Sequence, residues 1–185
     1  MQVKRLAIPE VMLVTPRRFS DSRGYFSETW NKAALAAHGI AVDFVQDNHS
    51  YSAARGVVRG LHCQIAPNVQ GKLLRCLRGA IWDVVVDIRV GSPTYGQHVA
   101  AVLSAESGTQ LWVPGGFLHG FCTLHPDCEV AYKVTAPYDR DAERGVMWND
   151  PDLALPWPVS AGEAKLSDKD AVLPRLAECP AWFQA

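Results

Sequence analysis

The chain has 185 residues, 48% hydrophobic and 20% charged, enough apolar mass to bury one core and too much for global disorder. Lys and Arg total 18 against 19 Asp and Glu, a formal net charge of −1, which argues against a general nucleic-acid binder or a membrane-surface protein. No apolar run approaches the length of a transmembrane helix, no secretory pattern opens the chain, and five cysteines without a Cys-x-x-Cys pair fit neither a zinc ribbon nor a disulfide framework.

The expected elements are mostly short strands. The first apolar run is 11–14. Residues 31–38 read as one short helix, with Asn31 as its cap and Gly39 as its stop. Runs at 42–50, 57–65 and 72–78 read as strands. Gly79 then opens a longer one over 80–90, in which Trp82, Val84, Val86 and Ile88 alternate with Ile81, Asp83, Val85 and Asp87. One face of that strand is wholly apolar and the other mixed. Further runs fall at 97–104, 109–113 and 119–135. The tail from 149 is rich in Pro and Trp and reads as irregular. Turn-punctuated strands without alternating helices imply an antiparallel barrel or double-sheet sandwich. We expect one domain over 1–185, in a reducing compartment and most simply the cytoplasm.

Charge is unevenly spread. Between Tyr51 and Trp82 there is no Asp or Glu, yet Arg55, Arg59, Lys72, Arg75 and Arg78 all fall there. Five cations without a local counter-ion suit an anionic small ligand such as a diphosphate, or exposed faces paired with acids elsewhere in the fold. His62 and His119 each stand in a Gly-flanked apolar context. A lone histidine is more often structural, but two on expected strands, one beside the cationic stretch, point to a site.

The spacing Pro114-Gly-Gly-Phe-Leu-His119 resembles the second cupin motif. A metal-binding cupin also carries His-x-His and a following Glu, whereas this chain has His62-Cys-Gln64 and no acid until Asp83. That donor set is poor for a hard metal ion, and Lys72 would repel it, so no metal is expected. Ten motifs in order carry a closer resemblance. They are Phe19-x-Asp-x-Arg23-Gly-x-Phe-x-Glu28, Gln46-Asp-Asn48-x-Ser50, Val58-Arg-Gly-Leu-His62-x-Gln64, Gln70-Gly-Lys72-Leu, Asp83-Val-x-Val-Asp87-x-Arg89, Ser92-Pro-Thr-x-Gly96, Leu111-Trp-x-Pro114, Tyr132-Lys, Trp148-x-Asp150-Pro and Leu166-Ser-x-Lys-Asp170. Together they strongly resemble the dTDP-4-dehydrorhamnose 3,5-epimerase family.

The resemblance implies an all-β cupin jelly roll (double-stranded β-helix) with a few short helices, a homodimer, and a reaction without cofactors. The substrate it implies is dTDP-4-dehydro-6-deoxy-D-glucose, inverted at C3 and C5 to dTDP-4-dehydro-L-rhamnose. It assigns His62 as the base, Asp170 as its partner, Lys72 to the ketone oxygen and Tyr132 as the acid. It carries ligand contacts onto Arg23, Glu28, Gln46, Asn48, Arg59, His119, Glu143 and Lys169, and thymine stacking onto Tyr138. Arg23 could instead pair with Glu28 in a hairpin, Tyr132 could be a core residue and Tyr138 a surface aromatic. Cys63 and Leu118 depart from residues common in the family and are expected near the pocket. A single C3 or C5 epimerase, a cupin sugar ketoisomerase and a non-enzymatic sugar-nucleotide binder are the rival readings.

Overall fold

The computed structural model describes all 185 residues. In chain order the strands are β1 (Gln2–Arg5), β2 (Met12–Thr15), β3 (Arg18–Asp21), β4 (Gly24–Ser27), β5 (Gln46–Ser52), β6 (Val58–Gln64), β7 (Lys72–Arg78), β8 (Ala80–Asp87), β9 (Arg89–Val90), β10 (His98–Ser104), β11 (Gln110–Val113), β12 (Phe117–Thr123), β13 (Cys128–Val134), β14 (Glu143–Gly145) and β15 (Phe183–Gln184). One helix, α1 (Lys32–Ala36), lies between β4 and β5. Six strands form one sheet in the order β1-β2-β11-β7-β13-β5, and five form a second in the order β10-β8-β12-β6-β14. Every pairing within these two sheets is antiparallel. Neighbours are seldom consecutive in the chain, as a jelly roll requires.

The two faces of β8 explain the architecture. Ile81 and Val85 point between the sheets and join Leu74, Leu111, Phe117, Phe121 and Val130 in the main core. Val84 and Val86 point the other way and are buried completely. Their cover is the irregular tail: Leu153, Leu155, Trp157, Leu176, Trp182 and Phe183 pack over Leu61, Leu118 and Ile88 on that outer face. Trp157 packs between Trp82, tilted against it, and Trp148, edge to face, with ring centroids 4.9 and 5.6 Å away, and its indole N–H donates to the Trp148 carbonyl at 2.6 Å. An apolar face of this size needs a cover, since each fully buried large aliphatic side chain contributes about 1.5–3 kcal/mol.

Several local expectations shift. The run 119–135 is two strands, broken by a turn at residues 124–127. The strand expected over 42–50 begins at Gln46, and the hairpin weighed for Arg23 is present as β3–β4, although no apolar run marks its strands. The helix is shorter than 31–38, but its start and stop are as expected: the Asn31 side chain accepts from the Ala34 N–H at 3.0 Å, and Gly39 adopts φ +91°. No helix is long and apolar enough to cross a membrane.

Candidate active site

A cavity of about 490 Å³ opens between the sheets. The five-stranded sheet supplies Arg59, His62, His119 and Phe121; the six-stranded sheet supplies Ser50, Lys72, Leu74, Val130 and Tyr132. The C-terminal segment closes one side with Ser167, Lys169 and Asp170. A second cavity of about 380 Å³ shares His62, Lys72 and Tyr132 and continues to Gln46, Asn48, Gln70, Tyr138 and Glu143.

His62 and His119 are direct cross-strand partners on β6 and β12. The strands approach closely at Gly60, where φ is +114° and a Cβ would meet the His119 carbonyl at 2.6 Å. Only glycine fits there. His62 Nε2 bonds Asp170 Oδ1 at 2.6 Å, across 108 residues of sequence. The tail reaches that point by running beside the start of β6, where Val58 N–H donates to Lys165 O and Lys165 N–H to Gly56 O. Burial pushes the Asp170 carboxyl up, but the His62 bond and charge, the Gly60 N–H and the Ser167 hydroxyl outweigh it and hold it below the usual carboxylate range. Asp170 is therefore ionised at neutral pH. With Nε2 committed to this carboxylate, Nδ1 is the free ring nitrogen of His62.

Lys72 and Tyr132 face these imidazoles from the opposite sheet. Lys72 lies deep in the cavity wall and forms no ion pair. Burial pulls its ammonium below the ordinary lysine range, and nearby acidic groups, Glu143 and Asp83 among them, offset only part of this. An unpaired, half-buried cation beside a cavity is suited to an anion or a developing oxyanion. Burial likewise raises the Tyr132 hydroxyl, against the charge of Arg59, so the phenol keeps its proton.

Five of the expected binding residues form one polar chain. Gln46 Nε2 donates to Asn48 Oδ1 at 2.7 Å, and Gln46 Oε1 accepts from Tyr138 N–H at 3.0 Å. The Tyr138 hydroxyl donates to Glu143 at 3.0 Å, and Lys169 pairs with Glu143 at 2.6 Å. The Tyr138 ring is 56% exposed, which leaves a face open for stacking. Gln64 accounts for its position: its amide donates to the Asn68 and Pro137 carbonyls and accepts from Asp139 N–H, pinning the loop that carries Tyr138. Arg59 lines the main cavity, held by the Tyr51 carbonyl and Ser52 hydroxyl.

Other expected residues lie elsewhere. Arg23 is 87% exposed on the β3–β4 hairpin and pairs with Asp21 at 2.6 Å, not with Glu28. Neither Arg23 nor Glu28 lines either cavity of its own chain. None of the five cations between residues 51 and 82 forms an ion pair, yet only Arg59 and Lys72 reach the cavities; Arg75 lies in an outer groove with Arg18 and Tyr25. Leu118 packs under the tail, away from the cavity, because residues adjacent on a strand face opposite sides; Cys63 packs there too and also edges the smaller cavity. Burial pushes the Cys63 thiol up to about 12, and all five cysteines are free.

Asp83 carried no role in the sequence reading, yet it is wholly buried and holds His119 Nε2 at 2.9 and 3.1 Å. An acid on the inward face of an apolar strand was the available signal, because a buried carboxylate needs a partner.

Comparison with known proteins agrees with this geometry. The family model for dTDP-4-dehydrorhamnose 3,5-epimerase matches residues 5–178. A dTDP-4-dehydrorhamnose 3,5-epimerase of Sinorhizobium fredii is 52% identical over 184 residues, covering 100% of this chain and 94% of its own. The structure of a Legionella pneumophila dTDP-6-deoxy-D-glucose-3,5-epimerase in complex with dTDP-4-keto-L-rhamnose superposes with a TM-score of 0.94 at 40% identity, covering 100% of this chain and 98% of that one. A 3′-monoepimerase of Streptomyces bikiniensis in complex with dTDP-quinovose has a TM-score of 0.86 at 34% identity, over 94% and 87% of the two chains. A jelly roll on a sequence this similar from end to end places the chain in the dTDP-4-dehydrorhamnose 3,5-epimerase family, a family of isomerases with the cupin-type fold.

Proposed function

We propose that the protein inverts C3 and C5 of dTDP-4-dehydro-6-deoxy-D-glucose to give dTDP-4-dehydro-L-rhamnose, in dTDP-rhamnose biosynthesis. Both carbons flank the C4 ketone, so removal of either proton gives an enolate. His62 Nδ1 takes the proton, and Asp170 holds the imidazole in the tautomer that leaves Nδ1 free and then supports the imidazolium. Lys72 faces the ketone oxygen and stabilises the enolate charge. Tyr132 returns a proton to the opposite face. Each step moves a proton and no electrons leave the substrate, so this chemistry needs no cofactor. The observation that carries the reading is the placement of the His62–Asp170 pair and Tyr132 on opposite sheets of one cavity, with unpaired Lys72 lining it.

Tyr138 stacks on thymine. Gln46, Asn48, His119, Glu143 and Lys169 are the remaining contacts, and Arg59 takes the diphosphate. Arg23 and Glu28 keep a ligand role only in a homodimer in which the hairpin of one protomer lies over the cavity of its partner. That hairpin exposes Phe19, Tyr25 and Phe26 by 51, 58 and 70%, which supports the dimer. Five unpaired thiols support a reducing setting, which we take to be the cytoplasm. The test is NMR of the substrate with the enzyme in deuterated water. Deuterium at both C3 and C5, with inversion, supports the double epimerase. Label at one carbon supports a mono-epimerase, the second reading favoured by similarity to the 3′-monoepimerase. No label at either carbon overturns both.

A further inference from the structure

The cavity holds a second imidazole–carboxylate pair. His119 lies on β12 opposite Val85 of β8, and Asp83 is two residues from Val85 on the same inward face. That diagonal relation brings the two side chains together. The Asp83 carboxylate has no other hydrogen-bond donor: one N–H, at His119 Nε2, faces both of its oxygens at 2.9 and 3.1 Å. The nearly symmetric approach is that of an ionised carboxylate accepting from Nε2–H, since a protonated acid would donate from one oxygen. Asp83 is wholly buried and the His119 side chain only 10% exposed.

Charge around the pair bears on which ring nitrogen is bare. Burial pushes the Asp83 carboxyl up, and the His119 bond and charge and the Lys72 charge offset only part of this; neither Asp83 nor Lys72 has another ionic partner. One buried carboxylate faces one half-buried ammonium on the cavity wall. A protonated His119 would leave the group with a net positive charge in the interior, which is costly. The neutral ring with Nε2–H leaves Nδ1 as a lone-pair acceptor, and His119 lines the cavity.

We propose that Asp83 is a positioning residue that fixes His119 as the Nε2–H tautomer, so that Nδ1 accepts a hydrogen bond from a hydroxyl of the bound sugar ring. The hydroxyl as donor rests on the epimerase reading; the tautomer does not. Asp83 thereby distinguishes the sugar from the nucleotide: it contributes to holding dTDP-hexoses and nothing to holding dTDP.

The test begins on the unmodified protein. Long-range ¹H–¹⁵N NMR of the imidazoles is expected to show His119 protonated at Nε2 and bare at Nδ1 at neutral pH. A wild-type His119 carrying a proton on Nδ1, as the other tautomer or as imidazolium, overturns the proposal. In Asp83→Asn the amide can donate to Nε2 and turn the ring to the Nδ1–H form. Its affinity for dTDP-L-rhamnose, a stable hexose ligand, is expected to fall roughly tenfold by calorimetry while dTDP affinity is unchanged. Equal loss for both ligands would indicate general damage to the cavity and sinks the idea. In a double-mutant cycle with His119→Ala, the Asp83→Asn effect on hexose binding should vanish; additive effects would show that Asp83 does not act through His119. A wild type that places no deuterium at C3 or C5 removes the epimerase reading and with it the hydroxyl donor, and leaves the tautomer assignment to the NMR result.

Discussion

Substituting Asp170 by Asn tests the base at its support. The side chain keeps its shape, and Asp170 is 4% exposed, so solvent cannot replace the lost charge. The carboxylate accepts from His62 Nε2 at 2.6 Å. A hydrogen bond with a charged partner contributes about 1.5–3 kcal/mol, and about 1.4 kcal/mol is a factor of ten, so loss of imidazolium support alone slows proton abstraction roughly 10- to 160-fold. The Asn amide can also donate to Nε2, which moves the ring proton to Nδ1 and blocks the base. The same change in a hydrolase triad costs about 10⁴, an upper bound for this enzyme. The expected loss in kcat therefore lies between about 10 and 10⁴, with exchange at C3 and C5 falling together because one base serves both carbons. The assay is deuterium wash-in by NMR, with dTDP affinity measured in parallel and expected to be unchanged. Exchange within about threefold of wild type would refute the role given to the pair, and exchange lost at one carbon alone would refute the single base.

Four further outcomes are expected. His62→Ala should abolish exchange at both carbons and leave dTDP binding largely intact, as NMR and calorimetry would show; Tyr132→Phe should wash deuterium into the substrate with little inversion, because the enolate can then be reprotonated only from the His62 side. Arg59→Ala should weaken dTDP binding roughly tenfold or more, since a charge-assisted contact typically contributes about 1.5–3 kcal/mol, and unchanged affinity would return Arg59 to a structural role. Asp87 should govern acid stability: burial pushes its carboxyl up, but Arg89, Ser92 and Thr94 bonds hold it far below the usual range. Because the folded value is depressed, its stabilisation is present above the unfolded value of about 3.9 and is lost as pH falls through the folded one. Denaturant titrations should show Asp87→Asn less stable at pH 7 and the difference from wild type narrowing toward strongly acidic pH.

Local pattern carried much of this protein. The period-two alternation of residues 80–90 marks one face as apolar and the other as mixed, and β8 is built that way because adjacent side chains on a strand must point to opposite sides. The Asn31 cap and the Gly39 stop act within a few residues and were equally legible. Motif order was sufficient to single out His62, Lys72, Tyr132 and Asp170, which do line one cavity. Tertiary structure decided what meets what. Nothing in the spacing says that the Pro- and Trp-rich tail covers the outer face of β8, or that it carries Asp170 back over 108 residues to His62. Nothing in it ties Asp83 to His119, or turns Arg23 toward Asp21 on a hairpin outside the cavity. The reason is physical. Periodicity records which side chains must leave water, a property of each strand by itself. The partner that removes the water, neutralises a buried charge or orients a ring nitrogen is chosen by strand order and crossing connections, and these join residues that no local pattern links.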